Sequence, residues 1–198
     1  MMTGSEGAAM NALIQPRITI EAYLAWENEQ PGKHEFHRGE VFARTGERRV
    51  HGHVLLNLGA TLSTLLKGTP CQVFTDSMKV QIGDDTVLYP DVFVTCDKAD
   101  LATEMIFRAP TLVAEVLSPS TQAYDRSQKF ALYRRLQSLR EYLLVDPDTR
   151  RVEAFRRTAE GQWVLHDMSE DTEVELASIG CRVAMSVLFA NVDPAPES

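Results

Sequence analysis

The chain has 198 residues, 44% of them hydrophobic and 24% charged, with a formal net charge of −8. That length and composition suit one well-cored globular domain. No apolar run approaches the roughly 20 residues of a membrane span, and the N-terminus lacks the basic-then-apolar pattern of a signal peptide.

The acidity argues against a protein that coats nucleic acid through overall positive charge. Its cations are clustered instead, as Arg48-Arg49, Arg126 with Lys129, Arg134-Arg135, Arg150-Arg151 and Arg156-Arg157. A basic rim around an acidic pit would reconcile the two facts, although for most of the pairs a solvated face is the simpler reading. Three cysteines, Cys71, Cys96 and Cys181, are odd in number and widely spaced. Neither a disulfide framework nor a zinc site is expected from them, and a reducing cytoplasm fits best.

Residues 1–16, small and polar up to Pro16, read as a flexible arm. Residues 17–192 read as a single domain without repeats or linkers, and 193–198 as a flexible tail. Thr19 is suited to cap a short helix through about Asn28, with Glu21 in its first turn. Tyr23, Leu24 and Trp26 would pack that helix down, and Pro31-Gly32 stops it. The alternation of His34 to Arg44 predicts a hairpin turning at Arg38-Gly39. Glu47 to about Lys67 has helical spacing, with Val50, Val54, Leu55, Leu58, Leu62, Leu65 and Leu66 as the core face. His51 near its start either faces water or lines a site. His34, His37, His51 and His53 span a hairpin and a helix, which argues against zinc.

Gly68-Thr69-Pro70 breaks the helix. Cys71–Phe74 and Met78–Ile82 then read as strands of a meander, with Asp76 in a turn where an aspartate caps its own backbone. Val87–Thr95 is strand-like and holds Asp91 just after Pro90, so a strand start or bulge is expected there. Lys98–Ala109 is a polar connection. Thr111–Leu117 is a strand buried on both faces, yet it carries Glu115, a carboxylate that is costly there unless a cation meets it.

After the turn Ser118-Pro119-Ser120-Thr121, a helix from Asp125 to about Ser138 groups Leu132, Tyr133 and Leu136 on one side. Asp125 and Lys129 fall on that same side. A lysine inside an apolar stripe either snorkels out or reaches a buried anion, and Glu115 is the available one. Glu141–Asp146 is the next strand, and a right-handed crossover makes it parallel to the Glu115 strand. Arg151–Arg157 and Gln162–His166 form a hairpin, and 173–192 hold a short strand and a turn or two of helix. The fold class is α/β in the broad sense, an α+β mixed sheet flanked by helices.

Two strands with one internal carboxylate each, followed by a helix with an inward lysine, make a metal-and-ammonium site. Asp91 and Glu115 would hold a hard divalent cation, Mg2+ or Mn2+, through oxygen. Lys129 would orient or deprotonate the attacking water, or neutralise developing charge. The plainer reading is a buried Glu115–Lys129 ion pair, but that needs one acid and leaves Asp91 unexplained. A serine hydrolase at Ser118 or Ser120 has no nucleophile elbow to support it.

Pro90-Asp91, Glu115-Val116-Leu117-Ser118, Asp125-x-x-x-Lys129 and Glu141-Tyr142 with Val145-Asp146 resemble the Uma-type restriction-endonuclease family of the PD-(D/E)XK nuclease superfamily. The likeness runs from about Ile18 to Arg157, and EVLSPST-x-x-YDR-x-x-KF-x-x-Y is its most specific stretch. It implies a restriction-endonuclease-like core and metal-dependent cleavage of nucleic acid, most simply DNA, with a homodimer to cut both strands. The implied catalytic group is Asp91, Glu115, Lys129 and His51, with metal held by Asp91, Glu115 and the carbonyl of Val116. Glu35, Asp76 and Asp125 would face substrate or support that group. Leu117 departs from the superfamily, which places its lysine there; Lys129 would be that lysine moved to the next helix. The alternative is a non-catalytic nucleic-acid-binding or interaction module that keeps the fold.

Overall fold

The computed structural model describes residues 18–44 and 48–193. The expected arm at 1–16, the first residue of the expected Glu47 helix and tail residues 194–198 lie outside them.

Thr19 caps α1 (Ile20–Glu27), its Oγ1 accepting from the Ala22 N–H at 3.3 Å. Tyr23 of α1 is fully buried and stacks on Phe36, ring centres 4.9 Å apart. Phe36 lies in the hairpin of β1 (His34–His37) and β2 (Glu40–Ala43). Its two turn residues, Arg38 (φ 50°) and Gly39 (φ 87°), are both left-handed, as a two-residue hairpin turn matching strand twist requires. α2 (Arg49–Leu65) buries Val54, Leu58 and Leu62 completely, whereas Leu65, expected in its core face, is exposed.

The expected meander is not formed. β3 (Gln72–Thr75) pairs with β6 (Val92–Thr95), while β4 (Lys79–Ile82) pairs with β5 (Thr86–Leu88). The reason lies at Tyr89-Pro90-Asp91: Pro90 offers no N–H to a ladder, and the chain leaves one sheet there and enters another. The polar connection holds a 3₁₀ turn (Asp100–Ala102) and β7 (Ile106–Phe107), which lies parallel to β4.

β8 (Pro110–Val116) carries Glu115, and β9 (Glu141–Asp146) runs parallel to it, as the crossover rule requires. Between them the helix starts at Gln122 rather than Asp125 and stops at Tyr133, short of Ser138. It runs as α3 (Gln122–Tyr124), a π-helical turn (Asp125–Lys129) and α4 (Phe130–Tyr133). β10 (Arg151–Arg157) and β11 (Trp163–Asp167) form the expected hairpin. β12 (Glu173–Leu176), β13 (Cys181–Ala184) and α5 (Met185–Leu188) complete the chain.

One sheet has the order β2-β1-β5-β4-β7, the larger one β11-β10-β9-β8-β6-β3, and β12-β13 is a separate ribbon. Along β8 the period of two divides the residues between two cores. Leu112, Ala114 and Val116 pack with α2, β12, β13 and α5. Val113 and Leu117 pack with Tyr133, Tyr142 and the Val80, Ile82 and Phe107 side of the smaller sheet. Glu115 shares that second face.

Cys71 and Cys96 form a disulfide, contrary to the expectation from their spacing. They flank the Gln72–Thr95 pair of β3 and β6, which brings their Cα atoms to 4.0 Å across 25 residues of chain. Disulfides persist in oxidising compartments, so the cysteines no longer argue for a reducing cytoplasm. Among the described residues no helix is long and apolar enough to cross a membrane.

Candidate active site

The segment where the chain changes sheets is held from every side. The Tyr89 N–H donates to Glu35 Oε1 at 3.1 Å, its carbonyl accepts from Arg44 Nη1 at 3.1 Å, and its hydroxyl donates to Glu27 Oε1 at 2.8 Å. The Asp91 carbonyl accepts from the Asp76 N–H at 2.9 Å. With the backbone fixed, the Asp91 carboxylate meets three donors. Oδ1 accepts from Arg44 Nη2 at 2.8 Å, and Oδ2 accepts from the Val116 N–H at 2.7 Å and lies 3.1 Å from His51 Nε2. Burial alone would raise its pKa. The His51 contact, with Lys129 and Arg44, holds it well below the usual carboxylate range. An ionised carboxylate only accepts, so His51 Nε2 is the donor.

Glu115 points from β8 to the same region. Its Oε2 is 2.9 Å from Lys129 Nζ, and its Oε1 accepts from the Tyr133 hydroxyl at 3.1 Å. The helix carrying Lys129 puts Asp125, Lys129 and Tyr133 at intervals of four, on one face. Lys129 Nζ is also 3.4 Å from Glu35 Oε1 and 3.8 Å from Asp125 Oδ1. Glu35, His51, Asp91, Glu115, Asp125 and Lys129 are each no more than 5% exposed.

Burial would lower the Lys129 pKa, but Glu115, Glu35 and Asp125 hold it above its ordinary value, so it remains an ammonium. Glu115 and Asp125 are instead pushed up by burial, which the attraction of Lys129 only partly opposes. Four buried carboxylates thus share Lys129, Arg44 and His51. The cluster has more acid than base.

The structure therefore brings together Asp91, Glu115, Lys129, His51, Glu35 and Asp125. What Val116 lends is its N–H, to Asp91. Asp76 is not brought in: its carboxylate pairs with Lys33 Nζ at 2.5 Å, and only its backbone touches Asp91. Leu117 lies on the Glu115 face of β8, buried in the second core, and the Lys129 ammonium reaches that same face from the helix.

Sequence reasoning missed Arg44, Tyr89 and the hydroxyl of Tyr133. Arg44 stands at a hairpin end, where spacing carries no signal, and helical spacing groups Tyr133 with the apolar Leu132 and Leu136. Most of the basic pairs form no rim. Arg48 makes two hydrogen bonds to Asp148 at 2.6 and 2.8 Å. Arg126 pairs with Glu153, Arg135 with Asp85, Arg151 with Asp167 and Arg156 with Glu141. Arg134 lies over the Phe130 ring.

Among the described residues no group of three or more His, Cys, Asp or Glu side chains is arranged to hold a metal ion. The donor chemistry of Asp91 and Glu115 nonetheless fits a hard divalent cation, which takes carboxylate oxygens and keeps waters for its other positions. The excess of buried acid is the charge such an ion would offset.

The family described as "Putative restriction endonuclease" (Uma2) matches residues 20–186. Two Synechocystis sp. proteins are similar over most of their length. "Uncharacterized protein slr1290" is 35% identical over 175 residues, covering 88% of this chain and 92% of its own. "Uncharacterized protein sll1609" is 32% identical over 164 residues, covering 81% and 93%. The fold matches a crystal structure from Anabaena variabilis titled as "a putative nuclease belonging to DUF820". The TM-score is 0.74 at 19% identity, over 89% of this chain and 99% of that one. Since the family match spans both sheets, the Lys129 helix and every residue of the buried cluster, the chain belongs to the Uma2 family.

Proposed function

We propose that this chain is a metal-dependent nuclease that hydrolyses phosphodiester bonds of nucleic acid, most simply DNA. The observation that carries the reading is Lys129 Nζ at 2.9 Å from Glu115 Oε2 inside a cluster that also holds Asp91 and is short of positive charge. A structural ion pair needs neither the second acid nor the excess. Asp91 and Glu115 would hold the divalent cation, Mg2+ or Mn2+, which supplies Lewis-acid stabilisation of charge on the phosphoryl group when bound. Lys129 keeps its proton, so it acts as a fixed positive charge that orients the attacking water and offsets charge in the transition state. Deprotonating that water falls to another group. His51 and the Val116 N–H hold Asp91 in place, and Glu35 and Asp125 hold the lysine. Two-fold pairing of chains would supply one site per strand of a duplex.

The burial of the whole cluster favours a second reading, a nucleic-acid-binding module that keeps the fold without turnover. A plasmid-nicking assay in Mg2+, Mn2+ and EDTA, on wild type and Glu115→Gln, separates them. Nicking that needs metal and is lost in the variant is the expected result. Plasmid retained on the protein without nicking in either metal would favour the binding module.

A further inference from the structure

Arg44 differs from the rest of the cluster in where it sits and what it holds. It follows β2, away from β8 and the Asp91 segment in the chain, and forks between the Tyr89 carbonyl (3.1 Å) and Asp91 Oδ1 (2.8 Å). Its side chain is 19% exposed, against 3% for Asp91 and 5% for Lys129, so it is more open to solvent than the groups it joins. The two oxygens of Asp91 are consequently unlike. Oδ2 is fixed by the Val116 N–H and by His51, groups that belong to a central strand and a long helix. Oδ1 is held by a side chain whose charge is the same in sign as that of a metal ion.

We infer that Arg44 is the resident counter-ion of the metal-facing oxygen of Asp91, and that it sets metal affinity by competing for Oδ1. This rests on the metal-dependent reading above. The guanidinium suits the role because it pairs with a carboxylate strongly and stays charged at every working pH. Binding at Oδ1 requires Arg44 to withdraw, so the apparent affinity is reduced by the fraction of molecules in which it is withdrawn. The same competition keeps the buried acid partly neutralised when no metal is present.

The test is calorimetric titration with Mn2+ of wild type, Arg44→Gln and Arg44→Lys, each first checked for a cooperative thermal transition. Removing the competitor should tighten Mn2+ binding by about tenfold or more in Arg44→Gln. Arg44→Lys, which keeps the charge but loses the fork, should fall between. If Arg44→Gln does not fold, Arg44→Lys alone decides by the same criterion. A variant that binds Mn2+ as wild type does, or more weakly, overturns the inference and leaves the nuclease reading standing on wild-type binding. Absence of Mn2+ binding in all folded forms overturns both. A merely structural role for Arg44 would loosen the site and weaken binding, the opposite sign.

Discussion

Adjacent strands β8 and β9 each bury one glutamate, and the two are opposite in kind. Glu141 is fully buried, yet each oxygen has its donors: Oε1 accepts from Arg156 Nε at 2.8 Å, and Oε2 accepts from the N–H and hydroxyl of Ser178 at 3.1 and 2.7 Å. Glu141 is the one buried acid that Arg156 meets, the other carboxylate on the guanidinium being the exposed Glu175 of β12 at 3.1 Å, and the result ties the β12-β13 ribbon to the main sheet. Glu115 lies in a cluster where four carboxylates share Lys129, Arg44 and His51, and its carboxyl is pushed up. A buried carboxylate is therefore not by itself a sign of chemistry. What separates the two is charge balance, since a complete pair is structure and an incomplete one is open to a further cation.

The largest effect expected is from removing the shared cation. Lys129→Met strands Glu35, Glu115 and Asp125 without their common ammonium. It should cost about 3–5 kcal/mol in denaturant unfolding and abolish metal-dependent nicking in whatever fraction folds. Reduction of the Cys71–Cys96 disulfide touches neither glutamate and calibrates the scale. Closing a chain loop of this size is worth about 3 kcal/mol in the unfolded-state account. Cys71→Ser should lower the unfolding free energy by that amount and leave nicking per folded molecule unchanged.

The difference between the two glutamates was only half legible in the sequence. Glu115 stands out because Val113, Ala114, Val116 and Leu117 on either side of it are aliphatic, and Lys129 because it breaks an apolar stripe; each anomaly names the other as its partner. Glu141 starts its strand, where a glutamate looks ordinary, and its partners Arg156 and Ser178 lie too far along the chain for spacing to connect them. The same limit hid Arg44 and the cysteine bond, both of which depend on which strands pair. Pairing departs from the expected meander at Tyr89-Pro90-Asp91, where a strand start or bulge is expected and the chain in addition passes from one sheet to the other. Local pattern gave the elements and the parallel crossover. The partition into two sheets arises from long-range pairing that no single window contains.

The smaller effects test the charge-balance contrast directly. Glu141→Gln keeps the shape but weakens charge-assisted hydrogen bonds to a group that stays buried, so about 1–3 kcal/mol should be lost in EDTA. Mn2+ binding should be unaffected. Glu115→Gln should do the reverse at neutral pH, raising the midpoint of thermal unfolding in EDTA while removing Mn2+ binding and metal-dependent nicking.

The sign follows from linkage. The folded pKa of Glu115 lies above its ordinary value of 4.5, so the stability its proton contributes is present below that value and is lost as pH rises through the folded pKa. Above the ordinary carboxyl range, folded wild type must either bury that charge or hold a proton the unfolded chain gives up, a cost the glutamine lacks, while Lys129 keeps Glu35 and Asp125 as partners. Asp91, held low by His51, Lys129 and Arg44 against its burial, has the opposite linkage. Its contribution is present above its ordinary value and disappears as pH falls. Midpoints measured in EDTA from neutral pH downward should therefore show the advantage of Glu115→Gln over wild type shrinking, and the deficit of Asp91→Asn shrinking with it. A Glu115→Gln protein less stable than wild type at neutral pH would make Glu115 and Lys129 a balanced pair like Glu141 and Arg156. The excess of acid that invites a metal ion would then have no basis.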